Sequence, residues 1–110
     1  MFDIVYVSYN SEKWIEGCFK AWDKVKYDLN KVNIYVVDNH STDNTVKLLK
    51  EVKEKQGKKF GSFEILEEQN NWGFGKGNNI GFEKGKSEIA CFLNIDTEVF
   101  EDTLTELERE

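Results

Sequence analysis

Three short apolar runs in this chain end abruptly in polar side chains, and this pattern constrains the fold more than any other. The runs are Ile4–Val7 before Ser8-Tyr9-Asn10, Ile34–Val37 before Asp38-Asn39, and Ile89–Leu93 before Asn94-Ile95-Asp96. Continuous apolar runs of this length, rich in β-branched residues, indicate strands that are buried on both faces. Each buried strand therefore presents polar side chains at its carboxyl end.

The segment after the first run has helical periodicity. From Glu12 onwards, Trp14, Cys18 and Trp22 recur at four-residue spacing beside Ile15 and Phe19. We expect this stripe to pack against a sheet, because apolar residues at such spacing share one face of a helix.

A second helix and a further strand follow. Ser41-Thr42-Asp43 is predicted to cap a helix with Val46, Leu49 and Val52 on its apolar face, and Ser62–Glu67 is predicted to be a strand. Strands that alternate with helices predict an α/β fold with a mostly parallel sheet in a single domain, residues 1–110. Ligands of such sheets bind outside the carboxyl ends of the strands, so the three polar strand ends form one candidate site.

Composition excludes some classes of function. The formal net charge of −6 argues against a nucleic-acid-binding protein, which needs surplus Lys and Arg for phosphates. No apolar run approaches the ~20 residues of a membrane span, and the chain starts with a strand rather than a basic leader, so we expect a cytoplasmic protein. Cys18 and Cys91 are expected to be buried and reduced, since two distant thiols make no metal site.

The pair Asp38-Asn39 is the first candidate for binding chemistry. A carboxylate just past a buried strand is well placed to accept hydrogen bonds from a nucleobase imide or a ribose hydroxyl. Tyr9, at the neighbouring strand end, could stack its ring on a base. The alternative is that Asp38 only caps the loop that runs to Thr42, as Asp commonly does.

The triplet Asn94-Ile95-Asp96 is the second candidate. Strand alternation points Asn94 and Asp96 the same way, and a divalent ion on a diphosphate needs only one or two protein carboxylates. Asp96 suits that role. A helix cap that starts the segment after Thr97 explains the triplet equally well.

The glycine-rich segment from Gly73 to Asn79 is the third candidate. Its Gly-x-Gly-x-Gly form matches neither the dinucleotide fingerprint nor a Walker loop, because no Ser or Thr follows Lys76. Glycines let a backbone approach a ligand closely, and Lys76 could neutralise phosphate. A mobile surface loop is the alternative.

Four blocks of the sequence together resemble family 2 glycosyltransferases. These are the residues 5–10, 36–45, 70–81 and 92–97, the last in the Asn-x-Asp form that is similar to rhamnosyltransferase-like members. The resemblance implies a GT-A fold, in which a Rossmann-like nucleotide-binding half precedes an acceptor-binding half. It also implies transfer of a sugar from a nucleoside diphosphate sugar, with Mg²⁺ or Mn²⁺, to a glycan or lipid-linked acceptor.

The resemblance also implies roles for particular residues. Tyr9 would stack near the base, and Asp38 with Asn39 would hydrogen-bond the nucleoside. Asp96 would bind the metal that bridges the diphosphate, and Asn94 would lie near the ribose or the ion. The loop from Gly73 through Lys76 to Asn79 would line the donor site.

Two departures from the family pattern limit these implications. Asn94 replaces a carboxylate, so we expect metal binding to be weaker or to depend more on the bound nucleotide. Only fourteen residues, 97–110, follow Asp96, whereas the catalytic base of the family follows the metal motif, so we expect this chain to bind donor without supplying the base. Alternatives are a non-catalytic nucleotide-binding or interaction module and an unrelated nucleotidyltransferase. An uncovered sheet edge would favour a homo-oligomer.

Overall fold

The structure, a computed structural model, describes residues 2–25, 27–70 and 89–95. Its strands are β1, Phe2–Ser8; β2, Val32–Asp38; β3, Ser62–Glu67; and β4, Ile89–Asn94. Helix α1, Glu12–Lys20, follows β1, and helix α2, Thr45–Gln56, follows β2. Short 3-10 helices occupy Ala21–Lys24, Leu29–Lys31 and Gly57–Lys59.

The described strands form one parallel sheet in the order β3-β2-β1-β4. This arrangement confirms the predicted α/β fold. Every residue of β1 and β2, the two central strands, is buried. Central strands of a parallel sheet are covered on both faces, which explains why these runs are apolar throughout rather than alternating.

Helices α1 and α2 contribute to the core on one face of the sheet. Helix α1 buries Ile15, Cys18 and Phe19, and Trp22 follows them into the core. The expectation that Trp14 belongs to the same stripe is wrong, because its side chain is 45% exposed. The buried stripe follows the i, i+3, i+4, i+7 pattern of a helix face, and Trp14 lies just beside that face.

A buried hydrogen bond orients the largest side chain of the core. The indole Nε1 of Trp22 donates to the hydroxyl of Tyr6 at 3.0 Å, and Phe19 packs edge-on against the Tyr6 ring. Burial, together with the nearby Cys18 thiol, raises the pKa of Tyr6 well above its usual value. Because Trp and Tyr keep their polar groups paired, they fill the core without an unsatisfied donor.

A row of polar side chains crosses the start of the sheet. Asp3, Asn33 and Ser62 occupy paired positions on β1, β2 and β3. Asn33 Nδ2 donates to Asp3 Oδ1 at 3.1 Å, and Ser62 Oγ donates to Asn33 Oδ1 at 3.0 Å. A one-residue slip of any strand would break this row, so it favours the observed register.

Two further findings bear on the expectations from the sequence. Neither Cys18 nor Cys91 forms a disulfide bond, as predicted, but only Cys18 is buried, and the expectation that Cys91 is buried is wrong because it is partly exposed. No helix among the described residues is long and apolar enough to cross a membrane.

Candidate functional site

The carboxyl ends of β1, β2 and β4 meet at one edge of the sheet, with β1 in the middle. Ser8 pairs with Asp38 on one side, and Val7 pairs with Asn94 on the other. The prediction that the polar strand ends share one edge is therefore confirmed. The loops that follow β1 and β2 begin at this edge and supply its polar side chains.

Asp38 lies at the end of β2 and is 1% exposed. Its Oδ1 accepts hydrogen bonds from Ser8 Oγ at 2.8 Å and from Ser41 Oγ at 2.6 Å, while its Oδ2 accepts one from the Ser41 backbone N–H at 2.9 Å. Asp38 thus caps the loop through Ser41. A carboxylate can accept about four hydrogen bonds, so Oδ2 retains capacity for a further donor, and nucleotide binding stays a prediction.

Tyr9 follows β1 directly and its side chain is 43% exposed. A tight turn holds its backbone, since the Tyr9 N–H donates to Ser11 Oγ and Ser11 Oγ donates to the Tyr9 carbonyl oxygen, at 3.2 and 3.1 Å. The next residue, Asn10, has a positive φ of 47°, a conformation that Asn tolerates better than most residues. Tyr9 therefore combines a fixed backbone with an accessible ring.

Asn39, unlike Tyr9, is buried, with 2% exposure. Its backbone N–H donates to the Ser8 carbonyl oxygen at 2.8 Å, which extends the pairing between β1 and β2 by one residue. His40 then turns the chain with a φ of 66° and is exposed. Asn39 is thus buried and continues the pairing of the two strands, and its contact with a nucleotide stays a prediction.

Hydrogen bonds join the loop after β1 to the loop after β2. The Asn10 N–H donates to Ser41 Oγ at 2.9 Å, and the Thr42 N–H donates to Asn10 Oδ1 at 2.8 Å. Ser8 and Asn10 belong to a polar strand end predicted from the sequence, but the hydrogen bonds that Ser8, Asn10 and Ser41 make between the two loops were not predicted. Their signal was the Ser, Asn and Thr content of both loops, because these side chains readily bond to nearby backbone groups.

Asp43 lies where α2 begins, and its pKa is shifted by its surroundings. Partial burial raises the pKa of Asp43, but hydrogen bonds from the side chain and backbone of Thr45, and from the backbone of Glu12, outweigh it and leave the pKa below its usual value. Asp43 Oδ1 accepts the Thr45 N–H at 2.9 Å, although Asn44 is the residue that immediately precedes α2. Of the predicted capping residues Ser41-Thr42-Asp43, Asp43 therefore caps α2, whereas Ser41 and Thr42 bond to Asp38 and Asn10.

Several predicted site residues cannot be compared with the geometry. Gly73, Lys76, Asn79 and Asp96 lie outside the described residues, and Asn94 is described only as the backbone end of β4. Within residues 2–25, 27–70 and 89–95, no three His, Cys, Asp or Glu side chains cluster in a way that could hold a metal ion. The divalent metal at Asp96 stays a prediction.

The chain is similar to known glycosyltransferases along most of its length. The sequence model of glycosyl transferase family 2 matches residues 3–110. The poly(ribitol-phosphate) β-N-acetylglucosaminyltransferase TarS of Staphylococcus aureus is 27% identical over 103 residues, which are 94% of this chain and 17% of that protein. Glycosyltransferase AglE of Haloferax volcanii is 30% identical over 93 residues, 84% of this chain and 29% of that protein. The chain therefore spans less than a third of the length of these curated relatives.

Solved structures share the fold. S. aureus TarS 1-349 in complex with UDP-GlcNAc has a TM-score of 0.86 at 24% identity, covering 98% of this chain and 30% of that one. Mannosyltransferase PcManGT from Pyrobaculum calidifontis in complex with GDP-Man and Mn²⁺ has a TM-score of 0.86 at 23% identity, covering 94% of this chain and 30% of that one. At such identities the likeness establishes the arrangement of the strands and helices.

Proposed function

The chain belongs to glycosyl transferase family 2, and on that premise we propose that it binds the nucleoside diphosphate sugar for a sugar transfer to an acceptor. The observation that carries the proposal is that Tyr9, whose ring is half-exposed, directly follows Ser8, and Ser8 pairs with the buried Asp38 at the carboxyl edge of the sheet. TarS has been solved with UDP-GlcNAc and with UDP, and PcManGT with GDP-Man. These ligands support a nucleotide sugar as the ligand class.

We assign the nucleoside to the two central strand ends. The Tyr9 ring would stack on the base, and stacking of a base on an aromatic ring contributes about 1–3 kcal/mol. Asp38 would accept an N–H of the base through Oδ2, the oxygen that has a single donor from the described protein groups. Asn39 would support this pocket, because its backbone continues the pairing of β2 with β1.

We assign the diphosphate to the end of β4 and the segment before it. In this proposal Asp96 holds a divalent ion, Asn94 lies near the ribose or the ion, and the Gly73, Lys76 and Asn79 loop lines the donor. Mn²⁺ in the PcManGT complex supports a metal of this kind. A bound divalent ion would neutralise charge on the diphosphate leaving group.

The acceptor-binding region is expected outside the segment shared with the relatives. The matched segment is 17% of TarS and 29% of AglE, so most of each relative lies outside the region compared. We propose a glycan or lipid-linked acceptor. The Asn-x-Asp form of the metal motif favours a rhamnosyltransferase-like enzyme. Donor binding is therefore the first property to test, and transfer or donor hydrolysis is the second.

The test is a titration of the protein with UDP, GDP and dTDP, each with and without Mn²⁺, by isothermal calorimetry. Tyr9→Ala should weaken binding by on the order of 10-fold through the loss of base stacking, and Tyr9→Phe should retain most of the affinity. Trp14→Ala is the matched control, because Trp14 is equally exposed, at 45%, but follows the loop on α1. If none of the three nucleotides binds at millimolar concentration, the donor-binding proposal is wrong.

A further inference from the structure

Helices α1 and α2 begin beside each other, and neither is capped by the side chain of its own N-cap residue. Ser11 precedes α1 and Asn44 precedes α2, and neither side chain accepts a capping hydrogen bond. The first backbone N–H groups of a helix have no partner within the helix. In this protein the Glu12 N–H, and the N–H groups of the two N-cap residues, bond to side chains at the start of the other helix, while the Thr45 N–H bonds to Asp43 just before its own helix.

The caps are exchanged between the two chain segments. The Glu12 N–H donates to Asp43 Oδ2 at 3.4 Å, and the Asn44 N–H donates to Glu12 Oε2 at 3.2 Å. Between them, the Ser11 N–H donates to Thr45 Oγ1 at 2.7 Å. Each hydrogen bond joins residues more than thirty positions apart, so the two helix starts are held as one unit, which we call the crossed cap.

The geometry points to a positioning role for Glu12 and Asp43: we propose that the crossed cap sets the spacing of the nucleoside pocket between the Tyr9 and Asp38 loops. The proposal rests on the donor-binding function proposed above. Glu12 lies three residues after Tyr9, and Asp43 lies five residues after Asp38. The crossed cap thus ties the far ends of the two loops together, in addition to the hydrogen bonds that Asn10 makes with Ser41 and Thr42 within the loops.

Two chains of contacts connect the crossed cap to the pocket. Ser11, whose N–H bonds to Thr45, also folds the Tyr9 turn through its own hydroxyl. On the other side, Asp43 Oδ1 holds the Thr45 N–H at the start of α2 and thereby fixes where the loop from Asp38 ends. A change in the crossed cap would therefore shift the Tyr9 ring relative to Asp38, although Glu12 and Asp43 themselves do not contact the nucleotide in the proposed pocket.

The electrostatics of the site favour the same arrangement. The amino ends of both helices carry partial positive charge, which stabilises nearby carboxylates. Glu12 and Asp43 supply one carboxylate to each helix start in addition to the hydrogen bonds. The crossed cap therefore stabilises two helix ends with two side chains, and loss of either carboxylate loosens both loops.

The test compares Glu12→Ala, Glu12→Gln and the control Glu16→Ala, which changes an exposed glutamate one turn further along α1. The affinities for UDP, GDP and ADP are measured by calorimetry, and the folded fraction of each variant is measured by urea unfolding. We expect Glu12→Ala to bind the preferred nucleotide on the order of 5-fold more weakly, in the range of typical coupling between sites. Glu12→Gln should retain most of the wild-type affinity, because an amide oxygen can still accept the Asn44 N–H.

The preference between bases is the readout that separates positioning from general stability. A misplaced Tyr9 or Asp38 should reduce the ratio of the best to the worst nucleotide affinity in Glu12→Ala, whereas a mere loss of stability leaves this ratio unchanged in protein that is still folded. If the wild-type protein binds nucleotides and Glu12→Ala has the same affinities and the same ratio, the positioning role is overturned while donor binding stands. If the wild-type protein binds none, the donor-binding function itself fails.

Discussion

Substitution of Asp38 measures how strongly one buried carboxylate stabilises the carboxyl edge of the sheet. Asp38 accepts three hydrogen bonds, two from serine hydroxyls and one from the Ser41 N–H. Hydrogen bonds to charged groups contribute about 1.5–3 kcal/mol each, and hydroxyls that lose their acceptor can reorient. We therefore expect Asp38→Ala to lower the free energy of unfolding by about 4 kcal/mol.

Asp38→Asn separates the loss of charge from the loss of shape. An amide keeps only one acceptor oxygen, so it can serve either the hydroxyls or the Ser41 N–H, and we expect a loss of about 2 kcal/mol. Asp23→Asn is the matched control, because Asp23 pairs with Lys59 at 2.6 Å while its side chain is 58% exposed. Exposed ion pairs contribute about 0–1 kcal/mol, so the control should remain close to the wild-type protein.

Urea unfolding followed by tryptophan fluorescence provides the measurement, since Trp22 is buried in the core. With a denaturant slope of about 2 kcal/mol/M, Asp38→Ala should lower the midpoint by about 2 M and Asp38→Asn by about 1 M. Equal midpoints for Asp38→Asn and Asp23→Asn would refute the reasoning, because the buried hydrogen bonds would then contribute no more than an exposed ion pair.

Two further predictions concern stability away from the binding residues and its dependence on pH. Gly61→Ala places a Cβ 2.6 Å from a backbone carbonyl oxygen and should destabilise the fold by about 2 kcal/mol. Gly57→Ala places a Cβ 3.3 Å from Cγ of the exposed Lys53 and in ordinary contact with Phe63 Cβ at 3.6 Å, in a helical conformation, and should be about 0.5 kcal/mol more stable than wild type. Equal urea midpoints of these two variants would contradict the prediction. Because the folded-state pKa of Asp43 is lowered, its contribution is present above its usual pKa of 3.8 and is lost as the pH falls through the folded value. The urea midpoints of wild type and Asp43→Asn should therefore converge at a pH below the folded-state pKa of Asp43. A difference in midpoint that is independent of pH would contradict the stabilising role of the Asp43 carboxylate.

Local pattern was enough to predict the strands and the edge at which they end. The apolar runs around Ile4, Ile34 and Ile89 each form a strand of the parallel sheet, and their polar ends are neighbours. Burial of both faces leaves a continuous apolar signature that needs no knowledge of the partners. Trp14 was assigned to the buried stripe incorrectly, because helical spacing identifies an apolar stripe but not which residue at its border is buried by the rest of the protein.

The sequence by itself determined which segments are strands and helices, that the polar strand ends share one edge, and that the blocks around Tyr9 and Asp38 resemble one enzyme family. Only the tertiary structure decided that Asp38 is closed in by hydrogen bonds and that Glu12 and Asp43 cap each other's helices. Periodicity and capping residues act over a few positions of the chain, so they are visible in the sequence. The crossed cap joins residues thirty-one and thirty-two positions apart, and such a contact depends on how two loops meet once the sheet has formed.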